Sequence, residues 1–261
     1  MLPAGAWAVG TASGTSISNQ ATINYDVGSV AQPAISSDGD AGTAGAQPTV
    51  FVVDNLVDLA VTTLDLAIVD VAPGASEQVI RFQLDNEGNT TQDFLLSAVA
   101  QATGGPYATP FGNLMDAFDA DTGTNPVRMY MDTAAGQGAT ATYTPGTWDG
   151  VGAETLVTYI DELDADNSVT LYIVIDIPAA QPDGDMAIYG LRAQVAVGNG
   201  PGAQGAAIAN DHSGDSDLPG TVQIVFGDGV GTDDPDQVDP DGYHSSRSVY
   251  RIASATLAAA K

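Results

Sequence analysis

Residues 78–99, QVIRFQLDNEGNTTQDFLLSAV, constrain the fold more than any other stretch of the chain. Ile80, Phe82 and Leu84 alternate with Arg81 and Gln83, and Phe94, Leu96 and Ala98 alternate beyond a polar break. A period of two sustained over this many residues belongs to a strand with one buried face. The break, Asp85-Asn86-Glu87-Gly88-Asn89, is made of residues that tolerate left-handed backbone and bond their own chain. The stretch reads as a β-hairpin. An isolated hairpin is barely stable in water, so the rest of the chain has to supply the sheets that cover it.

The remaining sequence supplies them. In residues 15–27 Ile17, Ala21, Ile23, Tyr25 and Val27 fall on one face and polar residues on the other, which predicts one long strand. Residues 28–48 read as a loose linker with a short strand near 30–35. The 15–27 strand can pair within its own sandwich or with a neighbour's open edge, and periodicity leaves both open. Further alternating runs fall at 49–53, 57–63, 66–69, 127–131, 140–143, 155–159, 169–177, 189–197, 222–226 and 247–257. Pro178 ends the best of them, because proline cannot serve a central ladder. Between 101 and 126 the period is lost, and only 113–118 offers a helical turn or two.

Many short strands separated by Gly, Pro and Asp turns, with no long helix, predict an all-β fold. The expectation is an immunoglobulin-like or jelly-roll β-sandwich with long acidic loops. One elaborated sandwich over 49–261 is the first reading, with a division near 100–126 as the second. Residues 9–48 then form an N-terminal strand and linker, the candidate donor strand of an assembly.

Charge sets the candidate partners. Asp and Glu number 33 against 6 Lys and Arg, a formal net charge of −27. Nucleic acid and anionic membrane need a cationic footprint that such a chain lacks, whereas divalent cations suit it. The same charge also serves solubility. The chain has no cysteine, which excludes disulfides, thiolate zinc sites and a cysteine nucleophile. No run of 18 apolar residues occurs, so no membrane-spanning helix is expected. Residues 1–8, MLPAGAWA, end in the small-x-small pattern of a signal-peptide cleavage region, so they read as a possible signal remnant. With a lysine-poor, Ala/Thr/Gly/Asp-rich composition, this predicts a secreted, extracellular or cell-surface protein.

Catalytic patterns are weak. His212 and His244 sit in no zinc-type spacing, and there is no Gly-x-Ser-x-Gly elbow or phosphate loop. Carboxylates are too numerous for a glycosidase pair to stand out, so a non-enzymatic role is expected. Calcium takes 6–8 oxygen ligands, and three acidic clusters offer them. Asp116, Asp119 and Asp121 precede Gly123 and Asn125; Asp161, Glu162, Asp164, Asp166 and Asn167 crowd one turn; Asp228, Asp233, Asp234, Asp236, Asp239 and Asp241 line residues 227–242. None has the twelve-residue EF-hand spacing.

Pro73-Gly74, Asn86-Glu87-Gly88-Asn89 and Phe94-Leu95-Leu96 resemble the turn and strand pattern of immunoglobulin-like repeat modules of bacterial surface proteins. Residues 163–185, with Ile177-Pro178 and Asp183-Gly184-Asp185, look like the second half of such a module. The order is also similar to the TasA-type biofilm-matrix fibre proteins, secreted sandwiches whose subunits donate an N-terminal strand to the next. The resemblance implies a structural subunit of an extracellular filament or surface layer. Taken with the alternating 15–27 strand as donor and the acidic clusters as calcium ligands, the expectation is a homopolymer built by strand exchange and stabilised by calcium. An adhesin-like N-terminal module of a larger cell-surface protein is the alternative.

Overall fold

A computed structural model describes residues 10–37, 47–120, 126–132, 147–150, 153–209, 218–233 and 240–254. The first strands are short: β1 (Ser16–Asn19), β2 (Thr22–Ile23), β3 (Asp26–Val27), β4 (Val30–Ala31), β5 (Ile35–Ser36) and β6 (Thr49–Val52). They are followed by β7 (Asn55–Val57), β8 (Leu59–Thr63), β9 (Val69–Val71), β10 (Gln78–Asn86) and β11 (Gln92–Ala100). Next come β12 (Pro106–Thr109), β13 (Gly112–Met115), β14 (Arg128–Met131), β15 (Thr155–Leu156) and β16 (Tyr159–Leu163). The longest strands close the chain, with β17 (Ser168–Ile175), β18 (Met186–Val197), β19 (Ile224–Phe226) and β20 (Tyr243–Ile252). The described residues contain no helix.

Two five-stranded sheets form the sandwich, in the orders β15-β14-β17-β10-β8 and β16-β11-β18-β20-β9. Their inner faces carry the alternating apolar residues. Leu59, Val61, Ile80, Phe82, Leu84, Leu171, Ile173 and Ile175 of the first meet Phe94, Ile160, Tyr189, Leu191, Val195, Tyr250 and Ile252 of the second in one core. The Tyr250 hydroxyl spans the layers and bonds the carbonyls of Gln78 and Ile173, at 3.1 and 2.9 Å. Trp148 covers the outer face of the first sheet, edge-on to Tyr130 and Tyr172.

β10 and β11 do not pair. They lie in opposite sheets, and the turn between them is an arch across the sandwich rather than a hairpin. Strands that face each other across a core bury one face each, so their alternation is the same as a hairpin's. The connector need only span the roughly 10 Å between layers. Its amides bond the β7–β8 segment instead of each other: Glu87 N–H to the Asp58 carbonyl and Asn89 N–H to the Leu56 carbonyl.

Strands from before residue 101 and from after residue 126 build the same two sheets. Within 101–126, β12–β13 is an antiparallel hairpin where a helical turn was expected. The segment is tied to β18 by Ile188 N–H, which donates to Asp116 Oδ1 at 2.7 Å. Ala120 N–H likewise donates to the Tyr189 hydroxyl at 2.9 Å.

The expected long strand at 15–27 is broken into β1, β2 and β3, all paired within the chain. β1 pairs with β6, matching Ser16 to Val52 and Ile17 to Phe51. β2 and β3 pair instead with β5 and β4, which lie where a short strand near 30–35 is expected, making a hairpin. The turn between Val27 and Val30 folds 22–27 back onto 30–36. Gly28 and Ser29 take φ of 57° and 69°, the paired positive values of the two-residue turn that matches strand twist. The flanking valines hide this turn from a periodicity reading.

Candidate functional site

Two features are candidates, the N-terminal arm and the acidic clusters. The arm is the β2–β5 hairpin, with β1 and β6 at its base. Ile23 stands opposite Ile35 and Val27 opposite Val30. Two residues separate Ile23 from Asp26 but three separate Ala31 from Ile35, so a bulge at Gln32-Pro33-Ala34 keeps both pairs on one side. The pleat sets Tyr25 with them. The five side chains are all exposed: Ile23 63%, Tyr25 41%, Val27 59%, Val30 62% and Ile35 57%. Ala21 is exposed where the chain leaves β1, and Ile17 is half-buried in the separate β1–β6 ladder opposite Phe51. The expected set therefore splits. Ile23, Tyr25 and Val27 act with Val30 and Ile35, not with Ile17. In residues 10–37 the only charged side chain is Asp26.

The acidic residues are spent mostly on backbone amides. Asp93, fully buried in β11, accepts from Glu162 N–H at 2.9 Å and Gly205 N–H at 2.7 Å. Glu162 Oε1 accepts from Gly200 N–H at 2.6 Å, and Asp161 Oδ2 from Gly202 N–H at 2.7 Å. Three carboxylates thus hold the 198–205 loop against β16 and β11. One oxygen from each of Asp93, Asp161 and Glu162 lies within 4.8 Å of the others, so this trio has the spacing to hold a cation. It is the one such group among the described residues. Sequence reading found Asp161 and Glu162 but grouped them with Asp164 and Asp166. Those two lie in the β16–β17 turn, Asp164 accepting from the Thr91 hydroxyl and Asp166 at a φ of 58°. Asp93 was missed because a strand residue 68 positions earlier gives no local sign of the loop it holds.

The other expected clusters disperse. Asp116 is buried and accepts from Ile188 N–H and the Thr103 hydroxyl, while Asp119 is exposed. Burial pushes the Asp116 carboxyl up to about 6. Asp228 is buried and accepts from the Gly242 and Asp241 amides; burial raises its carboxyl to about 6, and the Asp241 charge adds to the rise. Asp241 Oδ1 in turn accepts from Tyr243 N–H at 2.9 Å. Asp233 is an arginine partner, 2.9 Å from Arg247 and 3.6 Å from Arg192, and it also accepts from Gln101 Nε2 at 3.0 Å. Asp121, Asp234, Asp236, Asp239 and His212 lie outside the described residues. His244 Nδ1 accepts from Val61 N–H at 2.9 Å, capping an amide of the edge strand β8.

With this geometry the chain is an all-β sandwich carrying an exposed two-stranded arm. No family model and no curated protein matches it. Among solved structures it is similar to AvmM, which catalyzes macrocyclization in alchivemycin A biosynthesis. The identity is 11% and the TM-score 0.33, over 80% of this chain and 94% of that one. It is also similar to the CupB6 tip adhesin from Pseudomonas aeruginosa, at 12% identity and TM-score 0.23, over 61% of this chain and 45% of that one. At these TM-scores neither carries an argument about this chain. No helix among the described residues is long and apolar enough to cross a membrane.

Proposed function

We propose that the chain is a non-catalytic structural subunit of an extracellular filament or surface layer, joined to its neighbours through the arm at residues 15–37. One observation carries the reading. Five apolar side chains share an exposed face on a hairpin with a single charge, in a chain of net charge −27. A contiguous exposed apolar patch marks an interaction site, and a two-stranded hairpin gains stability when another surface covers it. The charge-poor arm is also where two such acidic molecules repel each other least.

The resemblance to immunoglobulin-like surface repeats and TasA-type fibre proteins belongs to the same proposal, as does export. Calcium or another divalent cation enters as counter-charge, with Asp93, Asp161 and Glu162 as the group whose spacing suits it. Electron microscopy of the whole chain, and of a chain truncated before residue 38, tests the role. Fibres or sheets are expected from the whole chain and not from the truncated one. Fibres that persist without the arm would overturn it.

A further inference from the structure

We infer that the arm docks as a closed hairpin, its apolar face packed on the same face of a second copy, rather than opening to donate the 15–27 strand. This rests on the proposed assembly role and specifies the form in which the arm acts. The apolar face exists only while the hairpin is shut. Ile23, Tyr25 and Val27 come from one strand, Val30 and Ile35 from the other, and the bulge at 32–34 is what brings Ile35 onto the same side. Opening would scatter them.

The opposite face is held shut by polar contacts. The Thr22 and Ser36 hydroxyls lie 3.1 Å apart, Ala21 N–H donates to the Ser37 hydroxyl at 2.9 Å, and Gln20 Nε2 donates to the Ser37 carbonyl at 3.3 Å. The outer edge of the 30–36 strand is a poor template for an added strand, because Pro33 has no N–H and sits in the bulge. Docking therefore uses the face. Its occupant is a second arm, since that surface matches in apolar character and brings one acidic side chain, Asp26, where the sandwich brings many. A patch that packs on its own copy makes a twofold contact, so the arms pair subunits two by two and growth into a filament or layer uses a second contact on the sandwich. Five side chains per copy make the arm contact a small one, so association depends on concentration.

The absence of cysteine gives a direct test. A T22C/S36C variant places one disulfide on the polar face, where the hydroxyls it replaces are 3.1 Å apart. Sedimentation velocity then compares wild type, the oxidised variant with and without reductant, and I23S/V30S. The oxidised variant is expected to associate at the wild-type concentration with or without reductant. I23S/V30S is expected to need at least about tenfold more protein, on the scale of burying two such side chains. Chain truncated before residue 38, mixed with whole chain, is expected to stay out of the complexes. An oxidised variant that remains monomeric until reduced would show that the strand must open. Capture of truncated chain would place the arm on a neighbour's sandwich. Either result overturns the closed-arm pairing while leaving assembly intact, whereas a wild type that is monomeric at every concentration overturns the assembly role as well.

Discussion

The Ser248 hydroxyl donates to Asp65 Oδ2 across 2.7 Å, joining β20 of one sheet to the turn that follows β8 of the other. Asp65 is 8% exposed and also accepts from the Arg81 amide at 3.1 Å and Arg81 Nε at 3.2 Å. The carboxylate therefore ties three strands at one end of the core. Asp65→Ala leaves the buried Ser248 hydroxyl and the Arg81 amide without their acceptor and is expected to cost about 1–3 kcal/mol in urea unfolding, the partly exposed Arg81 guanidinium adding little. Ser248→Ala, which leaves the Arg81 bonds in place, is expected to cost about 1 kcal/mol. An alanine at 65 within about 0.5 kcal/mol of wild type would contradict the assignment.

Asp116 and Asp228 set a pH dependence. In both, burial is the first cause of a carboxyl raised from 3.8 to about 6. Below 3.8 the folded and unfolded chains both hold the proton, and between 3.8 and about 6 only the folded chain does. Their contribution is therefore full at low pH and lost as pH rises through about 6. Asp116→Asn keeps the acceptor for Ile188 N–H and removes the charge, so it is expected to stabilise the protein at pH 7 by about 1 kcal/mol. The gain should vanish near pH 4. Thermal melts of both proteins across pH 4–7 check it, and parallel curves would contradict it.

Gly190 lies within the twelve-residue strand β18, where glycine is otherwise unfavourable. A Cβ there would come within 2.7 Å of Asp233 Oδ2, so the missing side chain is what lets this carboxylate reach Arg192, Arg247 and Gln101. Gly190→Ala is expected to cost about 1–3 kcal/mol by displacing Asp233 from its arginines. The cost should fall to a few tenths in an Asp233→Ala background, because the two changes remove the same contacts. Equal costs in both backgrounds would mean that Gly190 matters for another reason.

How much was legible depended on whether the cause of a structure was local. The alternation at 80–84 and 94–98 marked β10 and β11 correctly, since a buried face leaves its period in the sequence wherever the strand is placed. It could not say that the two strands part into opposite sheets, because that choice rests on the Leu56 and Asp58 carbonyls, some thirty residues earlier. The same limit hid Asp93, whose loop amide at Gly205 is 112 residues away. The arm failed differently. Its apolar residues were recognised at 17, 21, 23, 25 and 27, but the Gly28-Ser29 turn between two valines was passed over. The short strand expected near 30–35 is present as β4 and β5, but its pairing back onto 22–27 went unread. The β12–β13 hairpin carries too few apolar alternations to rise above its Gly and Pro content.

Divalent cations have their own check. If calcium supplies counter-charge or is held by Asp93, Asp161 and Glu162, millimolar calcium should raise the melting temperature by several degrees and chelator should reverse it. Asp161→Asn, which changes one carboxylate of the trio at the exposed end, should reduce the calcium-dependent part. Identical melts with calcium and with chelator would remove the metal from the account.

The central claim is that the arm makes this acidic chain associate with itself. Sedimentation velocity of the whole chain and of a chain beginning at residue 38, over about a hundredfold range of concentration in physiological salt, tests it most directly. The expected result is a sedimentation coefficient that rises with concentration for the whole chain and stays at the monomer value without the arm. Two chains that sediment as monomers throughout, or that associate equally well, would contradict it.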